Sequence, residues 1–347
     1  MALLSTRRRR CFAGFLALLL LSTLAGLVWI DRWQREKIFS IELGEQRWWR
    51  EAPPGTEVFD IALPGGESLR AWYIGQPRAD APAVLYLHGA RWNLHGTVFR
   101  MERWHELGYS ILAIDYRGFG ASSPRLPSQA SATADAQAAL AELARRQPDP
   151  SLRFVYGHSL GGAVAAQLAT QQDAPPFAGL ILESTFTNVR DMIGTTRWDE
   201  IPGLGLLVTQ PFDSTAALAR LHVPLLVLHG TADRVVPVDM SDALINAAGG
   251  AGGLRRLAQF EGASHSGASR SAGYAEAVQQ FVRDARARTP ASQPAAHAGR
   301  RPPCQACPAA SAGRRPLARP AFTRAPALGH SPPMPNHCAR AAPPAAA

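Results

Sequence analysis

Cysteine is missing from this chain wherever a fold could use it. Cys11 opens the first apolar run, Cys304, Cys307 and Cys338 fall near the C-terminus, and the long interval between holds none. The core therefore cannot rest on a disulfide. Cys304 and Cys307 have the spacing of a metal or redox pair, but no second pair or histidine at ligand spacing accompanies them. No metal site and no cofactor are expected. Acidic charge is absent from both ends. Arg7–Arg10 precede the first acidic residue, Asp31, and seven arginines follow Thr289 without an Asp or Glu. Setting both ends aside, 36 basic residues fall to 25 against 27 acidic ones, so the net charge of +9 belongs to the ends. The middle keeps no basic surplus for a nucleic-acid face, which excludes that class of partner.

What is present begins with one long apolar run. Residues 11–30, CFAGFLALLLLSTLAGLVWI, are twenty uncharged residues, about the length needed to cross a bilayer as a helix. Arginines precede the run, and Trp29 and Trp33 fall where an interfacial aromatic belt would lie. The positive-inside rule puts residues 1–10 in the cytoplasm and the rest on the outer side. A cleaved signal peptide is the alternative, with TLAG at 23–26 as a loose peptidase site. Val28-Trp29-Ile30 carry the run past that site, and an uncleaved anchor is the expectation. Residues 31–55 form a polar juxtamembrane segment that closes at Pro53-Pro54-Gly55.

Beyond it, strand-like runs alternate with helical patterns over residues 56–288. The runs are 57–63, 68–74, 83–87, 109–115, 152–156, 178–183, 224–229 and 254–260, and Pro64-Gly65-Gly66 marks the first pair as a hairpin. Helical stretches at 97–107, 129–147, 160–172, 238–248 and 271–287 separate the later ones. This alternation predicts an α/β fold, a mostly parallel eight-stranded sheet with helices on both faces and the hairpin at its edge. Residues 185–215 break the alternation as a small cap-like insertion, a candidate substrate wall through Phe186 and Trp198. From 289 to 347 the chain is Ala, Pro and Arg, with 13 of its 28 prolines, and is expected to be disordered.

The chemistry starts at Gly157-His158-Ser159-Leu160-Gly161, a G-x-S-x-G between a predicted strand and a predicted helix. Taken alone, the motif is equally a small-residue turn. As a nucleophile elbow, Gly157 and Gly161 would let strand and helix approach while Ser159 stands at the helix N-terminus. A serine hydroxyl needs a base, and the base an orienting acid. Where the elbow works, these follow in the order acid, then histidine. Asp233 lies just beyond the run LLVLH, and His265 lies in the loop past the last strand. Two backbone N–H groups should hold the oxyanion: Leu160, and Ala90 in the loop after the third strand. His88 and Gly89 open that loop, with His88 expected to hold it rather than carry protons. Asp115 and Arg117 read as loop-fixing charges, and His158 has no assigned chemistry.

Those residues carry a resemblance. His88-Gly89, DYRGFGAS at 115–122, GHSLGG at 157–162, LESTFTNVRDM at 182–192, LHGTADRVVP at 228–237 and GASH at 262–265 resemble an α/β-hydrolase. More narrowly, the chain is similar to the single-span α/β-hydrolase-domain-containing proteins, bud-emergence-type proteins and bacterial peptidase-like relatives. The resemblance implies a membrane-anchored serine hydrolase acting on esters, including lipid-derived acyl esters. A serine aminopeptidase or acyl-peptidase is the alternative, as is a catalytically silent tethered scaffold. Where such relatives read H-G-N-A-G-N, this chain reads His88-Gly89-Ala90-Arg91-Trp92-Asn93. Trp92 thus replaces a glycine and would narrow the acyl site as part of its wall. Nothing in the sequence sets an oligomeric state.

Overall fold

The computed structural model describes residues 2–42, 48–196, 200–201, 203–250 and 253–288, with the side chains of 2–7 and 9 set aside. The expected tail at 289–347 and Trp198 lie outside the described residues, as do Cys304, Cys307 and Cys338.

Among the described residues, eight strands form one sheet in the order β1-β2-β4-β3-β5-β6-β7-β8. They are β1 (Glu57–Ala62), β2 (Ser68–Ile74), β3 (Ala83–Leu87), β4 (Ser110–Ile114), β5 (Arg153–His158), β6 (Gly179–Glu183), β7 (Leu225–Gly230) and β8 (Arg255–Phe260). β1 pairs antiparallel with β2, and β2 with β4, while the six strands from β4 to β8 run parallel. The parallel strands β3 to β7 are buried on both faces, which is why they read as continuous apolar runs rather than alternating ones. Two apolar layers cover the sheet, one gathered on α3 (Gln129–Arg146) and α4 (Leu160–Leu168), the other on α2 (Val98–Glu106) and α8 (Tyr274–Arg288).

The insertion after β6 contains the short helix α5 (Val189–Gly194) and a 3-10 turn at Leu204–Leu207, followed by α6 (Ser214–Leu218). Helix α7 (Asp239–Ala247) precedes β8.

Helix α1 runs unbroken from Ala2 to Phe39, so the polar segment that follows the apolar run begins as helix. Its stretch Arg10–Phe39 is long and apolar enough to cross a membrane, by length and composition. The polar end is helical because the domain holds it. Gln34 donates to Leu207 O at 2.7 Å and accepts from Thr209 N at 2.9 Å. Gln210 donates to Asp31 at 2.8 Å, and Arg35 Nε to Pro127 O at 2.7 Å. These partners satisfy side chains that hydropathy alone would leave in water.

Candidate active site

Strand β5 ends at His158 and α4 begins at Leu160, leaving Ser159 alone to make the turn at φ 54°, ψ −120°. Few L-residues tolerate that conformation, so it persists only where the surroundings enforce it. Here Ser159 N–H donates to Glu183 O at 2.9 Å, and Ser159 O accepts from Gly162 N–H at 2.9 Å. The glycines make room. A Cβ on Gly157 would stand 2.3 Å from Gly161 O, and one on Gly161 would stand 2.1 Å from Leu87 O. Gly162, part of GHSLGG but given no role of its own, would bring a Cβ within 1.8 Å of Thr185 Oγ1.

Ser159 and His265 line one cavity of about 690 Å³, together with Gly89, Ala90 and Trp92. His265 Nδ1 donates to Asp233 Oδ2 at 2.8 Å. That bond leaves Nε2 as the ring nitrogen free to take a proton. Ser159 Oγ makes no hydrogen bond among the described residues. Burial by itself would raise the Asp233 pKa, but hydrogen bonds from His229 and His265 outweigh it and hold the carboxyl far below the usual range. Val235 and Val236 N–H groups bond its other oxygen at 2.8 and 2.9 Å. Asp233 is thus a fixed anion beside His265.

His229 is a residue that sequence reasoning missed. Its Nε2 faces two acceptors, Val236 O at 3.0 Å and Asp233 Oδ2 at 3.3 Å, so that nitrogen carries the proton. Its place at the end of β7, four residues before Asp233, was the available signal.

His158 was assigned nothing, yet it is buried against the same loop. Its Nε2 lies 2.8 Å from Arg100 Nη2 and 2.9 Å from His265 O. Burial first, then the positive charge of Arg100, pushes its pKa well below the ordinary histidine value, so the ring is neutral. Behind it, Arg100 Nε stands 3.5 Å from Glu183 Oε1, both side chains nearly inaccessible. Tyr156 and Tyr274 hydroxyls donate to Glu183 Oε2 at 2.9 and 2.8 Å. This buried polar cluster lies under the elbow and was invisible in the sequence.

The loop after β3 is bonded both within itself and to the segment after β4. His88 Nδ1 donates to Gly89 O at 2.7 Å, and Asp115 accepts from Leu94 N–H at 2.9 Å. Arg117 Nε donates to Asp135 at 2.7 Å. Leu160 is buried at the first position of α4. One candidate is misplaced: Phe186, expected on the substrate wall, is 7% exposed and packs in the core. Ser184, two residues before it, has φ 51°. Among the described residues no group of three or more His, Cys, Asp or Glu could hold a metal ion.

A family model described as "Serine aminopeptidase, S33" matches residues 78–210. An uncharacterized protein of Mycobacterium tuberculosis is 36% identical over 201 residues, 56% of this chain and 68% of the relative. This chain belongs to the α/β-hydrolase superfamily. Lysophosphatidylserine lipase ABHD12 of Rattus norvegicus is 33% identical over 194 residues, 51% of this hydrolase but only 48% of the rat protein. Among solved structures, an esterase of Pyrococcus furiosus superposes with a TM-score of 0.53 at 16% identity, over 70% of this hydrolase and 96% of the esterase. That last likeness speaks for the fold alone.

Proposed function

We propose that this hydrolase is a membrane-anchored serine esterase working through Ser159, His265 and Asp233. The observation that carries the reading is the cavity shared by Ser159, at its strained turn, and His265, already bonded to Asp233. In the proposed reaction His265 Nε2 takes the Ser159 proton as Oγ bonds to the ester carbonyl carbon. The carbonyl electron pair moves onto oxygen, where the Leu160 and Ala90 N–H groups hold it. Collapse breaks the bond to the leaving alcohol, which receives the proton from His265. Water then attacks the acyl-enzyme, gives its proton to His265, and the returning proton frees Ser159 as the acid departs.

The cavity lining favours an ester over an aminopeptidase substrate. No Asp or Glu is among its lining residues, and of the three arginines there Arg91 and Arg100 pair with Glu42 and Glu183, while Arg234 is exposed with no carboxylate partner among the described residues. An aminopeptidase must hold an ammonium group, which calls for carboxylates, whereas an unpaired arginine such as Arg234 suits an anionic head group. An acyl ester bearing a phosphate or carboxylate, the class named for the rat relative, is the substrate type we assign. Helix α1 would anchor the enzyme, with residues 1–10 in the cytoplasm and the catalytic domain on the outer side.

The test is turnover of p-nitrophenyl acyl esters together with labelling by a fluorophosphonate. Ser159→Ala should abolish labelling and lower kcat at least ~10³-fold. A well-folded Ser159→Ala protein within tenfold of wild type would sink the assignment.

A further inference from the structure

Helix α1 does not merely end. Its last residue, Phe39, is fully buried and meets Phe119 and Phe212 edge-on, with ring centroids 6.3 and 5.9 Å away. From that fixed point the chain turns through Ser40, at φ 45°. Both sides of the turn then bond to a single residue of the loop after β3. Arg91 N–H donates to Phe39 O at 2.9 Å, and Arg91 O accepts from Glu42 N–H at 3.0 Å. The Arg91 guanidinium also pairs with the Glu42 carboxylate, Nε to Oε1 at 2.7 Å. Farther along, the Trp48 ring packs on Trp92 with centroids 4.8 Å apart.

Arg91 needs this support. Its φ is 74°, and Trp92 N–H reaches back across it to Ala90 O at 2.9 Å. An i to i+2 bond around a positive φ is the rare, strained form of the γ-turn. A side chain with a Cβ adopts such a conformation only where its surroundings over-determine it. Here both backbone groups of Arg91 are spoken for by Phe39 and Glu42. Ala90, the residue on which the second oxyanion N–H was placed, is the first residue of that same turn and lines the catalytic cavity.

We infer that the exit of helix α1, Phe39–Glu42, positions the oxyanion loop, with Glu42 and Arg91 as positioning residues. The inference rests on the serine-hydrolase reading, because it gives Ala90 its role. The γ-turn at 90–92 is held from outside, by a segment that is part of the anchor. Catalysis then depends on the anchor for geometry as well as for location. The mismatch at Trp92, where relatives carry glycine, also finds a physical setting: the loop takes its shape from the anchor exit instead of from its own flexibility.

The test uses the full chain in detergent or lipid with a p-nitrophenyl ester. Glu42→Gln removes the charge and keeps the backbone bond, and Glu42→Pro removes both. We expect kcat to fall ~5-fold and ~50-fold respectively, with KM within about twofold and the melting temperature nearly unchanged, as for partial loss of one oxyanion donor. The exchanged pair Glu42→Arg with Arg91→Glu should recover most of the activity lost by either single exchange. Two results would overturn the inference. One is kcat within twofold of wild type for Glu42→Pro. The other is a loss that tracks the melting temperature and is not recovered in the exchanged pair, which would make the segment a plain stability element. Ser159→Ala run in parallel separates the failures. If Ser159→Ala still turns over, the serine reading itself has failed; if it is inactive and the Glu42 variants are normal, only the positioning role has.

Discussion

Two strained residues border one cavity, and they are held by different means. Ser159, at φ 54°, sits between a strand and a helix whose own glycines admit the close approach. Arg91, at φ 74°, sits in a loop with bonds to a segment about fifty residues earlier in the chain. The first strain is paired with a signature, because the residues that relieve the crowding must be small and must stand two positions away. The second leaves none, because its support is two backbone bonds that any sequence supplies and one ion pair between residues too far apart for any spacing to announce. Strain held by neighbours can be read from sequence; strain held at a distance cannot.

The sharpest way to break this comparison is Gly161→Ala. Its Cβ would meet backbone, Leu87 O at 2.1 Å, with no flexible side chain to yield. We expect a loss of at least ~4 kcal/mol or no folded protein, read by thermal unfolding. Gly89→Ala, in the other loop, is the counterpart: its nearest atoms are 3.3 Å away. That variant should fold with a cost under ~1 kcal/mol while kcat/KM drops several-fold, because the added methyl stands 3.4 Å from Ser159 Cβ. Equal damage at both glycines would erase the distinction.

A smaller effect belongs to the cluster beneath the elbow. Arg100→Met leaves the Glu183 carboxylate buried with only tyrosine hydroxyls for company. We expect about 3 kcal/mol of lost stability, or a melting temperature lower by on the order of 10 °C. Arg100→Met combined with Glu183→Gln should recover part of it, since no charge is then left uncompensated.

The smallest effect is one of slope. The folded state keeps His158 neutral, whereas the unfolded chain takes up its proton near the ordinary value of 6.5. The unfolded state therefore binds more protons below that pH, and stability falls as pH drops from about 6.5. The contribution is on the order of 1 kcal/mol per pH unit. His158→Gln should flatten the melting-temperature profile between pH 6.5 and 5 relative to wild type. Parallel profiles for the two proteins would remove His158 from the account.

Much of the fold was legible because its signals are local. Apolar runs of strand length mark β3 to β7, and Pro64-Gly65-Gly66 marks the hairpin at the sheet edge. At the candidate site, Ser159, Asp233 and His265 are singled out by their order behind strands, and the structure brings Ser159 and His265 to one cavity. What escaped was tertiary in origin. Hydropathy ends the apolar run at Asp31, but Asp31, Gln34 and Arg35 find partners on residues 126–127 and 207–210, so the helix continues to Phe39. Arg100 and Glu183 are 83 positions apart, and no spacing announces a buried pair. Phe186 looked like a wall because it follows a strand end, but it packs in a core cluster and is not among the residues lining the cavity of Ser159 and His265.

The continuity of helix α1 with the domain has a mechanical meaning. An enzyme on a slack linker behaves like a buoy on a chain, sweeping a hemisphere and meeting substrate in every attitude. Here Asp31, Gln34, Arg35 and Phe39 fasten successive turns of the helix to the body of the protein. Under the proposed anchoring, a bilayer around α1 would carry the domain as a post carries a bolted lamp. Its tilt and height would follow from the helix, and the mouth of the cavity would keep one bearing to the lipid surface.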